Sequence, residues 1–563
     1  MIRKVRIIWQ VFFLVLFFAL LYAATQLRMA GWPVAVAAWV DPLIGIVTTA
    51  AEARLDALVR LACVIGVIAA GVLALGPGKP SRLRNRLAGL IVLGAAVAFL
   101  TGSEIDFHRP LAMGLGVIVV TFFLGRAFCG WMCPFGTIHH FVGWLGNLRR
   151  SRQEKLAVAD YRRFFVLKYY VLVAVLVAAV FGVQQAGLLD PIALLTRSAG
   201  TTVLPALDAA GVSAGGDAYR RWAWFPQAHY VRGVWLIGGV FVALLLANLW
   251  IPRFFCKTLC PLGALLGIVS GLSPFRHRRR AETCTDCRLC EAVCPSAAEP
   301  ARKLRISECI VCFNCSDACP RGAIRFGPAG GPHAHERTAP DMSRRGLLAA
   351  AAVGFSAWPL GRLIDAHRAR PDERAIRPPG ALGEEAFLAA CIKCGLCLRA
   401  CPTGVIQPAG DQAGAEGLWT PVMDYKLGYC EYNCTACGQA CPTGAIRELT
   451  LDQKQGRGEF AANGPVRLGA AFVNRGRCLP WSTLTPCVVC QEVCPVSPKA
   501  IYLERVQVVD RQGQTRWVQR PWVDPGLCIG CGICSHKCPV TDSPGIYVTA
   551  INATRDTKQR LVL

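Results

Sequence analysis

Regularly spaced cysteines are the residues of this chain best suited to chemistry. The chain has 29 cysteines among its 563 residues, and most lie in groups of the form C-x2-C-x2-C-x3-C-P. This spacing lets one tight loop offer three thiolates to a [4Fe-4S] cluster while the fourth cysteine reaches a neighbouring cluster. Structural zinc is the alternative, but it typically uses separated C-x2-C pairs. The spacing therefore favours iron-sulfur chemistry.

Six such motifs occur. They comprise Cys284, Cys287, Cys290 and Cys294; Cys309, Cys312, Cys315 and Cys319; Cys391, Cys394, Cys397 and Cys401; Cys430, Cys434, Cys437 and Cys441; Cys478, Cys487, Cys490 and Cys494; and Cys528, Cys531, Cys534 and Cys538. Two depart from the standard spacing, because Cys430 is followed by one extra residue and Cys478 lies well before Cys487. A longer first gap still leaves four thiolates, so we expect six [4Fe-4S] clusters.

Two further cysteine pairs have the form C-x-x-x-C-P: Cys129 with Cys133, and Cys256 with Cys260. Residues i and i+4 of a helix share a face. Each pair could be a redox dithiol, the two pairs could jointly bind a further metal centre, or all four thiols could be reduced and structural. Cys63 is then left over, and we interpret it as a packing residue.

The composition indicates a membrane half and a soluble half. The chain is 53% apolar and 17% charged, with a mean hydropathy of +0.39. The apolar residues are concentrated before about Trp250, whereas the second half is rich in Gly, Pro and Cys. The net charge of +25 comes mostly from short loops between apolar runs, without a basic helix or aromatic stripe. Nucleic acid is therefore not an expected partner.

The apolar half contains six predicted membrane spans. These are Ile7–Gln26, Leu58–Leu75, Leu87–Leu100, Leu111–Leu124, Phe164–Val183 and Gly233–Leu249. The third and fourth are short, so a buried or tilted hairpin is an alternative for them. Lys and Arg are enriched before the first span and after the second, fourth and sixth spans. Because cytoplasmic loops carry an excess of these residues, the pattern places these segments in the cytoplasm if all six spans are real.

The membrane half also contains a repeat. The segments "DPLIGI" from Asp41 and "DPIALL" from Asp190 each fall in a predicted outside loop. Each is followed later by a span that ends in a cysteine pair, "CGWMCPFG" from Cys129 and "CKTLCPLG" from Cys256. The matched order of the two motifs predicts two related halves.

An export-type segment lies in the middle of the chain, "DMSRRGLLAAAAVGFSAWPLGRL" from Asp341. Its SRRGLL start fits a twin-arginine address, and we expect it to remain as a seventh span. The predicted order is a membrane domain (1–275), a cytoplasmic two-cluster ferredoxin (276–330), a linker (331–342), the signal or seventh span (343–362), a second linker (363–386), a periplasmic four-cluster ferredoxin (387–550) and a tail (551–563). The fold class is an α-helical integral membrane domain with small α+β ferredoxin-like modules.

The sequence lacks the motifs of several other cofactors. No C-x-x-C-H motif for covalent haem occurs, and no histidine lies within a predicted span. His139 and His140, after the first Cys-Pro pair, could serve a quinol proton or face solvent. Neither a Walker A motif nor a dinucleotide G-x-G-x-x-G context is found. The sequence assigns no acid, base or nucleophile, and the catalytic residues stay unknown.

The motifs of this chain resemble those of two known groups of proteins. The membrane half with its Cys-Pro pairs and first ferredoxin resembles NapH-type membrane ferredoxins, related to the membrane part of NosR-type proteins. From "SRRGLL" onward, including "RPPGALGEEAFLAACIKCGLC" and "RCLPWSTLTPCVVCQEVCP", the chain is similar to the NapG/MauM family of exported four-cluster ferredoxins. Six spans instead of four, and the lack of a NosR-type flavin domain, are departures from these patterns.

The resemblance implies a quinol dehydrogenase of the bacterial inner membrane. Menaquinol or ubiquinol would be oxidised, and electrons would pass to a periplasmic cytochrome or reductase of nitrate or nitrous oxide respiration. A maturation factor that reductively activates a metalloenzyme is the alternative from another class. A cytoplasmic ferredoxin scaffold without export is a third.

Overall fold

Around the cysteine motifs the described elements are short helices and two-stranded sheets, because each motif needs a tight loop rather than a long regular element. The computed structural model describes residues 2–23, 36–52, 109–211, 213, 230–302, 304–328, 336–337, 340–366, 375–509 and 512–555. The described residues form two compact units. The first comprises 1–21, 35–198 and 235–360, and the second comprises 22–34, 199–234 and 361–563.

The first unit is mainly helical. Its helices are Ile2–Ala23, Val36–Trp39, Pro42–Glu52, Arg109–Leu124, Ala127–Trp131, Pro134–Asn147, Arg152–Ala159, Arg163–Val166 (3₁₀), Leu167–Val180, Ala186–Leu189, Pro191–Ser198, Val234–Trp250, Phe254–Thr258, Pro261–Ser270, Leu289–Ala292, Ile306–Glu308 (3₁₀) and Asn314–Ala318. The helix Arg344–Ala366 begins in this unit. Its strands are Phe275–Arg279, Leu304–Arg305, Ile324–Pro328 and Glu336–Arg337.

The predicted spans correspond only in part to long apolar helices. Among the described residues, two helices are long and apolar enough to cross a membrane, Ile2–Tyr22 and Arg163–Val180. The fourth and sixth predictions correspond to the shorter helices Arg109–Leu124 and Val234–Trp250. The second and third predicted spans, and Cys63, lie outside the described residues. The predicted seventh span is the helix Arg344–Ala366, which is not one of the two long apolar helices.

The two Asp-Pro segments are predicted to lie in loops, whereas in the structure each one begins a helix. Asp41 precedes the helix Pro42–Glu52, and Asp190 precedes Pro191–Ser198. In each segment proline occupies the first helical position, where its missing N–H costs nothing and its fixed φ favours the helix. Aspartate as the residue before a helix accepts its first N–H groups. An Asp-Pro pair therefore begins a helix here instead of turning a loop.

The first ferredoxin-like module is enclosed by one antiparallel strand pair. Phe275–Arg279 pairs with Ile324–Pro328, in the register Phe275 to Pro328 and Arg279 to Ile324. Both cysteine motifs of this module lie between these strands, so the sheet brings the ends of a two-motif segment together. The module belongs to the same compact unit as the apolar helices.

The second unit holds the other four cysteine motifs. Its helices are Ala199–Val203 (π), Glu384–Ala390, Leu396–Ala400, Asp411–Ala413 (3₁₀), Ala436–Gln439, Leu451–Gln455, Gly458–Asn463 (3₁₀), Leu479–Ser482, Val489–Glu492 and Ile533–His536. Its antiparallel pairs join Ile406–Pro408 to Pro421–Met423, Ala470–Val473 to Ile546–Thr549, and Ile501–Val509 to Thr515–Val523. Buried aliphatic residues and many of the motif cysteines share one core, which includes Phe387, Ile406 and Ile501.

Candidate iron-sulfur centres

The cysteines of the first module form two groups, and each group takes its fourth member from the other motif. Cys284, Cys287 and Cys290 line one small cavity together with Cys319. The other group contains Cys309, Cys312 and Cys315, whose thiols each interact electrostatically with Cys294. Exchange of the fourth cysteine is the arrangement that a pair of [4Fe-4S] motifs requires.

The four motifs of the second unit show the same exchange twice. One cavity is lined by Cys391, Cys394, Cys397 and Cys441, a second by Cys478, Cys487, Cys490 and Cys538, and a third by Cys494, Cys528, Cys531 and Cys534. Cys401 joins Cys430, Cys434 and Cys437, with which it interacts electrostatically. The two motifs with a long first gap therefore still bring four thiols together.

Left-handed backbone positions build these loops. Gly395 and Gly532 have φ values of 77° and 73°, and each lies between the second and third cysteines of its motif. A Cβ at Gly532 would lie 2.0 Å from the Tyr425 ring. A side chain there would therefore both strain the backbone and collide with the core.

The residues present fit [4Fe-4S] clusters better than single metal ions. Among the described residues, no three His, Cys, Asp or Glu side chains are grouped closely enough to hold one metal ion. A four-iron cluster holds its thiolates further apart than one tetrahedral zinc does. When bound, such clusters supply one-electron transfer, and the chain supplies the thiols, their burial and the charges around them.

The two C-x-x-x-C-P pairs come together in one site. The Cys133 thiol interacts electrostatically with Cys129 and Cys256, and Cys260 interacts with all three other cysteines. Cys133 and Cys260 are buried, and Cys129 and Cys256 are half-buried. Burial is the largest influence on the Cys133 and Cys260 thiols, and it raises the pKa of both well above the usual value. We call these four residues the thiol quartet.

Both halves of the quartet have the same local design. Cys133 precedes the helix Pro134–Asn147 and its Sγ accepts the N–H of Gly136 at 3.3 Å. Cys260 precedes Pro261–Ser270 and accepts the N–H of Gly263 at 3.2 Å. In each motif proline again occupies the first helical position. The repeated sequence thus places one thiol at the start of each of two helices.

An arginine lies three residues before each cysteine pair, and its side chain reaches the other half of the thiol quartet. Arg253 donates to the carbonyl oxygens of Cys129 and Gly136, both at 3.1 Å. The guanidinium of Arg126 lies 4.0 Å from Cys129 Sγ and within 2.9 Å of where a Cβ on Gly263 would be. Arg253 has the left-handed φ of 57°, a conformation that costs free energy for a non-glycine residue. Its two hydrogen bonds across the site offset that cost.

Buried positive charge surrounds the quartet. Arg126, Arg253, Lys168 and Lys257 are all nearly inaccessible to solvent. One buried carboxylate, Glu308, pairs with Lys168 and lies 3.7 Å from Arg126. Unpaired buried cations are costly, and one carboxylate balances only part of the charge of these four side chains. The sequence alone did not single out these cations, although the shared R-x-F-C spacing was visible.

The quartet lies directly against the first ferredoxin-like module. Trp131 Nε1 donates to the Val311 carbonyl at 2.9 Å, and Arg126 donates to the Ser307 carbonyl at 2.8 Å. A Cβ at Gly130 would lie 2.2 Å from the Ile310 carbonyl oxygen. Gly130, inside the first Cys pair, is therefore required by the close approach of the module.

His139 is buried and does not face solvent, so that alternative is wrong for this residue. Its Nδ1 lies 2.6 Å from Asn248 Oδ1, while Asn248 Nδ2 donates to the Leu244 and Leu245 carbonyls. Asn248 can then only accept from the ring, which places the proton on Nδ1 and leaves Nε2 as an acceptor. Burial lowers the pKa of His139 to about 4. His139 is packed against Phe135 and Phe255, beside the quartet.

Asp41 and Asp190 also meet, as the two cysteine pairs do. Both are completely buried, they interact electrostatically, and the Oδ2 of each lacks a donor among the described residues. Asp41 Oδ1 accepts the N–H groups two and three residues ahead of it, at 2.8 and 3.3 Å. Asp190 Oδ1 accepts the corresponding N–H groups at 2.9 and 2.8 Å. Two neighbouring carboxylates repel each other in a buried site, which favours a proton on one of them. Burial and the neighbouring carboxyl raise the pKa of Asp41 well above its usual value.

The Asp41→Asn variant is expected to flatten the pH dependence of stability. The folded wild type binds this proton more tightly than the unfolded chain, so its free energy of unfolding falls as pH rises through the raised pKa. Asparagine keeps the helix cap and can donate an N–H to Asp190, but it does not titrate. Thermal melting of detergent-solubilised protein at several pH values measures this. Asp317→Asn, an exposed position, is the control, and an unchanged pH slope in Asp41→Asn would contradict the shared proton.

The comparisons with known proteins identify the iron-sulfur regions. A 4Fe-4S binding domain matches residues 108–153, 231–280 and 437–457, a 4Fe-4S dicluster domain matches 390–445, and another 4Fe-4S binding domain matches 521–540. The first match includes both halves of the thiol quartet. No solved structure matches the chain.

Three relatives indicate the kind of protein. The methylamine utilization ferredoxin-type protein MauM of Paracoccus denitrificans is 37% identical over 35% of this chain and 83% of its own. YccM of Escherichia coli, provisionally named an electron transport protein, is 30% identical over 42% of this chain and 59% of its own. The regulatory protein NosR of Pseudomonas aeruginosa is 32% identical over 34% of this chain and 24% of its own. This chain is an iron-sulfur electron-transfer protein and belongs to the ferredoxin-type family that includes MauM.

Proposed function

We propose that the protein is a quinol dehydrogenase of the bacterial inner membrane that passes electrons through six [4Fe-4S] clusters to a periplasmic redox partner. The observation that carries the proposal is the thiol quartet. Two cysteine pairs from distant parts of the chain form one buried site among cations and against the first ferredoxin-like module. A seventh metal centre in this site would link quinol oxidation to the cluster chain.

Exposed apolar side chains support the membrane location. Ile8 on the first helix is 70% exposed, and Trp235 and Trp250, near the start and at the end of one apolar helix, are 76% and 69% exposed. Large exposed apolar surfaces are unusual on soluble proteins. Tryptophans near both ends of an apolar helix suit the two interfaces of a bilayer.

The loop contacts support the proposed topology. Arg232, in a loop predicted outside, pairs with Asp424 at 2.7 Å, and Gln407 Nε2 donates to the Tyr230 carbonyl at 3.0 Å. The segment with the first cysteine pair, predicted inside, packs instead on the first module through Trp131 and Val311. Each ferredoxin-like region thus contacts a loop predicted for its own side, which agrees with a fused NapH-like and NapG-like chain.

His139 is the proposed acceptor of a proton from quinol. Its Nε2 lacks a donor among the described residues, and Asn248 fixes the ring so that this nitrogen can accept. Phe135 and Phe255 give the ring an apolar surrounding. When quinol gives up an electron, its hydroxyl group also loses a proton. A weakly basic imidazole nitrogen beside the electron acceptor is suited to take that proton.

Anaerobic mixing of the purified full chain with a reduced soluble quinone tests the proposal. We expect the iron-sulfur absorbance to bleach as clusters are reduced. His139→Gln should slow this step, while reduction by dithionite stays as in the wild type. A chain that dithionite reduces but quinol does not would overturn the quinol dehydrogenase and favour an activation factor supplied by cytoplasmic donors.

A further inference from the structure

The motif from Cys430 to Cys441 has one residue too many in its first gap, and the structure gives that residue a role. Between Cys430 and Cys434 the chain runs through Glu431, Tyr432 and Asn433. The standard gap holds two residues. The longer loop closes around the end of a later helix, Leu451–Gln455.

Lys454 on that helix fills the loop. Its Nζ lies 3.5 Å from Cys430 Sγ, 2.6 Å from the Glu431 carbonyl oxygen and 2.7 Å from the Cys434 carbonyl oxygen. An ammonium group has three N–H donors, so all three are used. The side chain is buried, with the residue 6% exposed.

The neighbouring residues hold this lysine in place. Gln455 Nε2 donates to Asn433 Oδ1 at 2.8 Å and to the Tyr432 carbonyl at 3.3 Å. The helix starts with a capping box in which Thr450 and Gln453 bond reciprocally, at 2.9 and 3.1 Å. A helix capped in this way is anchored at its start. The position of the ammonium is therefore set by the backbone around it.

The charge of Lys454 has no carboxylate partner within the part of the chain that the structure describes. Burying an ammonium without an opposite charge is strongly unfavourable. The carbonyl oxygens solvate it, and the remaining contact is a cysteine sulfur. A thiolate-bound cluster, which carries net negative charge, is the counter-ion that this geometry fits.

Two other sulfurs of the unit receive neutral donors, the backbone N–H of Ile446 on Cys441 and that of Gly545 on Cys538. A hydrogen bond from a charged donor is roughly twice as strong as a neutral one. Hydrogen bonds to the sulfurs and the surrounding charge both set the reduction potential of a cluster.

We propose that Lys454 tunes the cluster bound by Cys401, Cys430, Cys434 and Cys437, and that the extra residue after Cys430 makes room for its ammonium. Reduction adds one electron to the cluster and so makes it more negative, and a fixed cation beside a ligand sulfur stabilises that reduced form. Lys454 therefore raises the reduction potential of this cluster. The inference rests on the proposed assignment of these four thiols, not on the identity of the electron donor.

Redox titration of the purified full chain, followed by electron paramagnetic resonance with chemical mediators, tests this inference without any quinol. Lys454→Met removes the charge, Lys454→Gln removes it but keeps an N–H donor, and Lys454→Arg keeps it. Lys499→Met is the matched control, since Lys499 is exposed and its Nζ donates to the Gln491 and Glu492 carbonyls instead of a cysteine sulfur. Iron content is measured for every variant.

With wild-type iron content, the two neutral variants are expected to shift one midpoint potential downward, while Lys454→Arg and Lys499→Met leave all midpoints in place. Unchanged midpoints in both neutral variants would overturn the tuning role. Loss of one cluster in both neutral variants but not in Lys454→Arg would also overturn it, because it would make the lysine an assembly residue.

Discussion

Replacement of Cys129, Cys133, Cys256 and Cys260 together by serine is expected to remove one metal centre and to abolish reduction of the clusters by quinol. The quartet's thiols are gathered from two halves of the chain, and cations surround them. If the site holds a four-iron cluster, iron should fall from about 28 to about 24 atoms per chain. Reduction by dithionite should persist, because the other six sites are untouched.

Iron analysis and anaerobic absorbance with a reduced quinone measure both effects. Cys63→Ser is the matched control, because Cys63 belongs to none of the cysteine motifs. Iron near 24 per chain in the wild type and unchanged in the quadruple variant would exclude a seventh cluster. Loss of quinol reduction with unchanged iron would instead indicate a pair of redox dithiols.

The Glu308→Ala variant is expected to lower the free energy of unfolding by about 3–5 kcal/mol, which is the cost of removing one partner of a buried ion pair. Glu308 directly precedes Cys309 and accepts from Lys168 and Tyr169. Removing the carboxylate leaves Lys168 and Arg126 buried without their anion. The first ferredoxin-like module should then loosen from the apolar helices, and the Cys309 group should lose iron more easily.

The same carboxylate predicts a pH effect. Burial alone raises the pKa of Glu308, but Lys168 and Arg126 outweigh it, and the resulting pKa is below the usual value. A lowered pKa stabilises the fold above the unfolded pKa, and this stabilisation is lost as pH falls through the folded pKa. Wild-type stability should therefore drop in acid more steeply than that of Glu308→Ala.

Chemical denaturation in detergent, with iron release followed in parallel, measures this prediction. Asp317→Asn is the control, since its pairing with Arg3 is exposed and 3.8 Å long. Such surface pairs contribute about 0–1 kcal/mol. Equal losses of stability in the two variants would mean that the buried pair is not needed to dock the module. Replacing Lys168 by Met as well should restore part of the stability, because it removes one of the uncompensated charges.

Short-range spacing by itself determined where iron-sulfur chemistry occurs in this chain. Three cysteines within one tight loop meet whatever the rest of the fold does, so motifs such as Cys391 to Cys401 were visible from the sequence. The 4Fe-4S dicluster match over residues 390–445 and the 4Fe-4S match over 521–540 confirm iron-sulfur binding domains in those segments. The internal repeat was also visible, because Asp-Pro and Cys-Pro segments recur in the same order.

Tertiary packing decided what the repeats and charges do. Asp41 meets Asp190, and Cys129 meets Cys256, only when two halves of the chain pack together, and no local spacing encodes those contacts. The same holds for Lys454, which is an ordinary helix residue in the sequence until it enters the loop after Cys430. Burial then changes the chemistry, because a charge that costs little in water must find a partner inside the protein.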